Sequence, residues 1–336
     1  MTSPTDAITV ELVDGTKVVV PDSLELITSY VLQEQGDWFE DEIKFLRQLV
    51  QPGDTVVDIG ANYGVYALSL ARKVGEKGQV WAFEPASETA ELLSKGSAAN
   101  GTSWLQVVQQ ALSEQEGTAW LQMPGQAELN SLASSEGEPP ANCPGESVAV
   151  TTLDLCLERF NWSMVDLLKI DAEGEEERIL QGGRHFFQEM SPLVMFEVKA
   201  GREVHLHLVQ HFQDLGYQCF RLIPGLDALA PFSTEQEVDG YLLNLFAAKP
   251  DRVAALAAGG WLVEQANTVA PEIEAINPNR WLERLGEMAY AQRLNARWQA
   301  EAPQPEQTVI SRALQAWVAS QDDSAPMEKR YEALAH

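Results

Sequence analysis

Basic residues are scarce in this chain. Lysine and arginine together number 23 against 50 aspartates and glutamates, a formal net charge of −27. Nucleic-acid backbones are bound largely through Lys and Arg, which release condensed counterions, so nucleic acid is not an expected partner of so negative a surface. Anionic membranes repel it for the same reason. Cysteine is rarer still. Cys143, Cys156 and Cys219 are odd in number, widely separated and without a CxxC pair. That argues against a disulfide framework or a zinc cluster and suits reduced thiols in a cytoplasmic protein. Long apolar runs are missing too: no stretch approaches the roughly 18 residues a spanning helix needs. The opening segment MTSPTDAITV has neither the basic start nor the apolar core of a secretory signal. These absences imply a cytoplasmic location and no membrane insertion.

Apolar material is ample, at 45% of 336 residues, enough for a sizeable core and more than one minimal domain. ITVELV and KVVV flank Asp14-Gly15, which predicts a hairpin over 8–20 with a two-residue turn. From Asp37 to Val50 the spacing becomes helical, with Phe39, Ile43, Leu46 and Leu49 on one face, and Pro52-Gly53-Asp54 ends it. Strands and helices then alternate. TVVDI (55–59), QVWAF (79–83), WLQVVQQAL (104–112), VDLLKI (165–170), LVMFEV (193–198) and YQCFRLI (217–223) read as parallel strands. YLLNLFAAK (241–249) follows too closely for a crossover helix and is expected to run antiparallel. The fold class is therefore α/β, a doubly wound, mostly parallel seven-stranded sheet of Rossmann-like type, covered on both faces.

Two regions break the rhythm. Between Leu112 and Val148, glycines and prolines cut the chain into short pieces, and TAWLQM (118–123) and SVAVTTL (147–153) are expected to pair as a hairpin. This insertion follows a strand C-terminus, where open α/β sheets hold their ligands. After Lys249 the pattern turns helical, with amphipathic stretches at 281–298 and 310–320. The expected organisation is an N-terminal hairpin and helix extension (1–53), an α/β domain (54–250) and a helical C-terminal appendage (251–336).

The most informative segment is Val56-Val57-Asp58-Ile59-Gly60-Ala61-Asn62-Tyr63-Gly64, an apolar strand, a glycine-bearing turn, then a helix. Gly60 permits a tight turn close to a ligand, and Gly64 permits close helix packing. Glu84 ends the next strand, where a carboxylate takes the hydroxyls of an adenosine ribose. A dinucleotide would need G-x-G-x-x-G around its pyrophosphate, and this loop is G-A-N-Y-G. S-adenosylmethionine carries no phosphate, and its ammonium and sulfonium want acceptors such as Asp58 and Asn62. The constellation favours S-adenosylmethionine, with Asp58, Gly60, Ala61, Asn62, Tyr63, Gly64, Glu84 and Asp171 as candidate cofactor contacts.

VVDIGANYGVYALSLA, VWAFEP, TTLDL and LLKIDAEGEEERILQGG, with MFEV behind them and GDWFEDEIKFLRQLVQPG in front, resemble the FkbM family of O-methyltransferases over roughly residues 35–250. The resemblance implies a class I methyltransferase fold and methyl transfer from S-adenosylmethionine to a hydroxyl, often of a carbohydrate, glycolipid or other secondary metabolite. It implies that Asp58, Gly60, Asn62 and Gly64 form the cofactor loop and that Glu84 is the ribose acceptor.

On the reaction side, Lys169-Ile170-Asp171-Ala172-Glu173-Gly174-Glu175 ends the fourth parallel strand. An acceptor hydroxyl must lose its proton to a carboxylate, a histidine or a metal-bound oxygen. Asp171 is the first candidate, as base or as acceptor for the cofactor's ammonium; Glu173 is the second, and Lys169 orients either. The carboxylate pair, with Glu197 as a third oxygen ligand, could also hold Mg²⁺, although a metal-free site is the preferred reading. Glu175, Glu176 and Glu177 are expected only to favour the next helix's first turn. His205, His207 and His211 do not share one helix face in the spacing of three ligands. Asn130-Ser131 is a candidate acceptor contact, and Trp38 and Tyr63 are expected to flank the pocket or pack in the core. The competing function is a non-catalytic binding or scaffold module on the same fold. The sequence names neither the acceptor nor an oligomeric state.

Overall fold

The computed structural model describes residues 6–127, 130–133, 144–200, 203–204, 206–234, 242–263 and 309–334. The N-terminal hairpin forms from β1 (Ala7–Glu11) and β2 (Lys17–Pro21), with Glu11 opposite Lys17. Its connection is longer than the expected two-residue turn. Leu12 N–H donates to the Thr16 carbonyl (2.7 Å) and Thr16 N–H to Asp14 Oδ1 (2.9 Å), so a wider loop is closed with its polar groups paired.

Two helices follow, α1 (Ile27–Gln35) and α2 (Asp41–Leu49). The first was not expected, and the second starts four residues later than Asp37. Asp37 is held outside the helix by Arg47, whose Nη1 lies 2.6 Å from Asp37 Oδ2. Ile43 and Leu46 are fully buried as the spacing predicts, whereas Phe39 precedes the helix and is 46% exposed.

The alternating region builds β3 (Thr55–Ile59), α3 (Val65–Val74), β4 (Gln79–Phe83), α4 (Ser87–Asn100) and β5 (Leu105–Val108). An insertion of β6 (Ala111–Leu112), β7 (Gly117–Gln122), β8 (Ser131–Leu132) and β9 (Gly145–Thr151) makes a separate sheet in the order β6-β9-β7-β8. The expected hairpin is its centre, β7 antiparallel to β9. Beyond lie α5 (Leu153–Arg159), β10 (Leu167–Ile170), α6 (Glu176–Gln181), α7 (Arg184–Glu189), β11 (Leu193–Glu197), the short pair β12 (Lys199–Ala200) and β13 (Glu203–Val204), then α8 (His207–Asp214) and β14 (Gln218–Ile223). The chain continues through β15 (Ala228–Pro231), β16 (Asn244–Ala248) and α9 (Pro250–Ala258) to α10 (Val309–Ser320) and α11 (Met327–Leu334).

The main sheet has the order β15-β14-β16-β11-β10-β3-β4-β5. β5, β4, β3, β10 and β11 are parallel, and β16 is antiparallel to both β11 and β14. The seven expected strands are all present, but the one expected over 104–112 divides: β5 ends at Val108, and Ala111–Leu112 joins the insertion's sheet. The eighth, β15, is a four-residue edge strand ending at Pro231, too short to stand out from a turn in sequence. Every residue of β10 is buried, as a central parallel strand covered on both faces requires.

The chain divides into two compact units, Met1–Phe220 with Phe232–Val253, and Arg221–Pro231 with Ala254–His336. The N-terminal hairpin belongs to the first. Lys17 and Asn100 of α4 exchange backbone and side-chain hydrogen bonds at 2.9 and 2.6 Å. The second unit takes the outer part of β14 and all of β15. Leu226, Ala228, Ala230 and Val263 are its apolar centre, and Met327 and Tyr331 pack against them. The expected helix at 281–298 lies outside the described residues; the one at 310–320 is α10.

Candidate active site

The chain's reversal between β3 and β10 opens a crevice at the strands' C-terminal ends, the place where open α/β sheets bind ligands. A cavity of about 300 Å³ occupies it. It is lined by Gly60, Ala61 and Asn62 after β3, by Glu84 and Pro85 after β4, and by Lys169, Asp171, Ala172, Glu173 and Glu197 from β10, the segment after it and β11. Leu121, Asn130 and Leu132 reach it from the insertion, and Ile27, Trp38, Phe39 and Glu40 from the N-terminal segment.

The two glycines of the β3–α3 loop have distinct tasks. A Cβ at Gly60, where φ is 75°, would sit 1.7 Å from the Asp171 carbonyl oxygen. The close approach is therefore to the neighbouring strand end. At Gly64, φ 85°, a Cβ would lie 2.1 Å from Leu93 of α4, which is the close helix packing expected. Asn62 also adopts a left-handed backbone, φ 49°, a conformation asparagine tolerates better than most residues.

Glu84 is 6% exposed. One of its oxygens accepts the Asn62 N–H and the other the Ala86 N–H, both at 2.9 Å. Burial pushes its carboxyl up to about 7 against those two hydrogen bonds, and the Asp58 charge adds to the rise. The bonds fix its plane, and each oxygen keeps a lone pair for a further donor.

Lys169 is the single basic side chain on the described cavity wall. It donates to Asp171 Oδ2 at 2.8 Å and lies 3.5 Å from Asp58 Oδ1. Its ammonium sits 5.2 Å from the centre of the Tyr66 ring. Burial alone would push its proton off, but Asp171 and Asp58 outweigh that and hold Lys169 charged. Asp58 is 1% exposed and does not line the cavity; it stands behind Lys169 as a buried counter-charge. Tyr63 and Gly64 also lie off the wall, Tyr63 at 5% exposure. Gly60, Ala61, Asn62, Glu84, Lys169, Asp171 and Glu173 all line it.

Asp171, Glu173 and Glu197 each bring a carboxylate oxygen within 4.8 Å of the others. Burial, with the neighbouring Asp171, Glu173 and Glu176 charges adding to it, raises the Glu197 carboxyl to about 9. Glu175 and Glu176 stand at the start of α6 as expected, but they are only 6% and 5% exposed and have further partners. Glu175 accepts from Ser113 Oγ at 2.7 Å and from Arg178 at 3.0 Å. Glu176 accepts from the backbone N–H groups of Ala172 and Gly174.

Sequence reasoning missed Glu40 and Tyr66. The Tyr66 hydroxyl donates to Glu40 Oε2 at 2.5 Å, and both line the cavity. Burial raises the Glu40 carboxyl, with Tyr66 opposing and Asp171 adding to the rise. Glu40 immediately precedes α2, where an acidic residue ordinarily serves the helix terminus, so nothing in its spacing marked it. Among the described residues no histidine lines the cavity; His207 and His211 flank Glu177 at 3.5 and 3.8 Å instead. Cys156 and Cys219 are buried, with thiols pushed up to about 11 and about 12 by burial, and Cys143 lies outside the described residues.

This sheet order, with one antiparallel strand near its edge and a polar crevice at the switch point, defines an α/β protein of the class I methyltransferase type. Residues 58–219 match the family model described as the methyltransferase FkbM domain. No curated protein matches the chain in sequence. Among solved structures, the FkbM methyltransferase from Methylobacillus flagellatus KT is 17% identical, with 58% of this chain and 43% of that one covered and a TM-score of 0.39. The match thus spans less than half of that neighbour's length. An S-adenosylmethionine-dependent O-methyltransferase from Thermotoga maritima is 16% identical over 74% of this chain and 78% of its own, TM-score 0.38. A putative methyltransferase from Streptococcus mutans in complex with SAH is 8% identical over 62% and 95%, TM-score 0.36.

Proposed function

We propose that this protein is a cytoplasmic S-adenosylmethionine-dependent O-methyltransferase acting on a hydroxyl of a small molecule, with a carbohydrate, a glycolipid or another secondary metabolite as the acceptor class. The observation that carries the reading is the charge of the cavity. Glu40, Glu84, Asp171, Glu173 and Glu175 line it, and Lys169, its basic group, is already engaged by Asp171 and Asp58. A pyrophosphate would meet carboxylates with no free cation among the described wall residues. A ligand with an ammonium and a sulfonium meets the complementary field.

Bound S-adenosylmethionine supplies an electrophilic methyl group on a good leaving group, so alignment does much of the catalytic work. In this reading Glu84 accepts the ribose hydroxyls with its remaining lone pairs, and Asn62 and Asp171 face the amino-acid end. Lys169 pairs with Asp171 at 2.8 Å and fixes its orientation. Asp171 or Glu173 takes the acceptor's proton; Glu197, raised to about 9 by burial and its acidic neighbours, holds its own proton at neutral pH and is unsuited to that role. Trp38 and Phe39 offer a ring face to the acceptor.

Calorimetric titration of S-adenosylhomocysteine into the wild type and Glu84→Ala tests the cofactor. One-site binding, weaker by about 1.5–3 kcal/mol in the variant, is expected for a lost charged hydrogen-bond partner. A folded wild type that binds neither S-adenosylhomocysteine nor S-adenosylmethionine would leave the scaffold reading in its place.

The carboxylate cluster favours a second reading for the metal alone. Asp171, Glu173 and Glu197 are oxygen donors suited to Mg²⁺, and a cation there would displace the Glu197 proton and offset the charge of the other two. Methyl transfer unchanged in EDTA would exclude it.

A further inference from the structure

The turn that carries the reaction-side carboxylates is not self-supporting. Glu173 has φ 48° and Gly174 φ 101°. A left-handed backbone disfavours an ordinary L-residue and persists where its surroundings impose it. The Asp171 and Glu173 carboxylates also stand within 4.8 Å of each other and of Glu197, so their repulsion works to open the turn. Something must hold it shut.

Glu176 is placed to do so. Its Oε1 accepts the Ala172 N–H at 3.0 Å and the Gly174 N–H at 3.2 Å, while Oε2 lies 3.1 Å from the same Gly174 nitrogen. The carboxylate thus turns back from the start of α6 into the loop and is 5% exposed. A residue serving only the helix terminus gains nothing from such burial. Glu175 cannot substitute, because its oxygens are taken by Ser113 and Arg178.

We infer that Glu176 is a positioning residue: by gathering the Ala172 and Gly174 amides, it fixes the left-handed turn that points Asp171 and Glu173 into the cavity. The binding part of this inference rests on the cofactor reading above; the clamp itself does not.

The test compares Glu176→Ala with Glu176→Gln in the full chain. Both remove the charge, but glutamine keeps an oxygen that can face both amides. Hydrogen exchange of the Ala172 and Gly174 amides, followed by NMR, reads the clamp, and calorimetry with S-adenosylhomocysteine reads its consequence. The expected result is that alanine loses the protection of both amides and binds at least roughly tenfold more weakly, while glutamine restores most of each. Phe186→Leu, a core change away from the cavity, serves as the control: it should lower Tm and leave the affinity intact. If alanine does not fold, Glu176→Asp, shorter by one methylene, is compared with the wild type in the same way.

Equal amide protection in the alanine and glutamine variants would overturn the clamp. Equal affinity, or a loss that merely tracks Tm as in the control, would overturn the positioning role. A wild type that binds no S-adenosylhomocysteine sinks the cofactor reading instead, and amide exchange still decides the clamp.

Discussion

At the scale of single residues, the site is governed by carboxylates that burial would neutralise and partners that keep them useful. Lys169 links Asp58 behind the wall to Asp171 on it. Removing one member of a buried pair strands the other, so Lys169→Met should cost on the order of 3–5 kcal/mol in urea unfolding. Adding Asp58→Asn should recover part of that loss, because the stranded charge is then gone. Glu84 gives a pH signature. Its folded value, about 7, lies above the ordinary 4.5, so folding binds a proton. Its contribution to stability is full below about 4.5 and is lost as pH rises through 7. Glu84→Gln should therefore flatten the stability profile between those values in urea unfolding at stepped pH; a slope identical to wild type would contradict the shift. The sequence made Glu84, Gly60, Asn62 and Asp171 legible because a strand end followed by a glycine turn is a local pattern. It hid the task of Asp58, whose orientation away from the cavity depends on a lysine more than a hundred residues away in sequence. Glu40 and Tyr66 were hidden for the same reason: their pairing joins two segments that no spacing connects.

At the scale of elements, two strand ends approach so closely that one hydrogen is all the space allows. Gly60→Ala places a methyl 1.7 Å from the Asp171 carbonyl and in a backbone region closed to alanine. It should separate β3 from β10 and abolish cooperative folding, seen as a lost thermal transition. Gly174→Ala is the useful contrast, since φ is 101° there but nothing lies within 4 Å. Backbone strain acts alone, at about 1–3 kcal/mol, and the transition should persist at lower Tm. The elements were largely readable because alternation and helical spacing report burial directly. Those missed were short or irregular. α1 buries Thr28 and Ser29 beside Val31 and Leu32, so its inward face is half polar and shows no apolar period, β15 ends in proline, and the opening loop is set by the Asp14 side chain capping Thr16.

At the scale of the whole molecule, charge is the dominant feature. Acidic residues outnumber basic ones 50 to 23 over the chain, and self-repulsion at −27 opposes compaction. Added salt should therefore stabilise the protein by screening, and Tm should rise as NaCl increases from about 10 to 200 mM, where the Debye length falls from about 30 Å to below 10 Å. The same experiment separates screening from a specific cation. At matched ionic strength, MgCl₂ and NaCl screen alike, so any extra rise with Mg²⁺ reports binding to the folded state. That extra rise should vanish in Glu197→Gln if the ion rests on Asp171, Glu173 and Glu197, and should survive the change if it rests on scattered surface carboxylates. Equal curves in the two salts would assign the whole effect to screening and leave the three carboxylates to the cofactor and the acceptor.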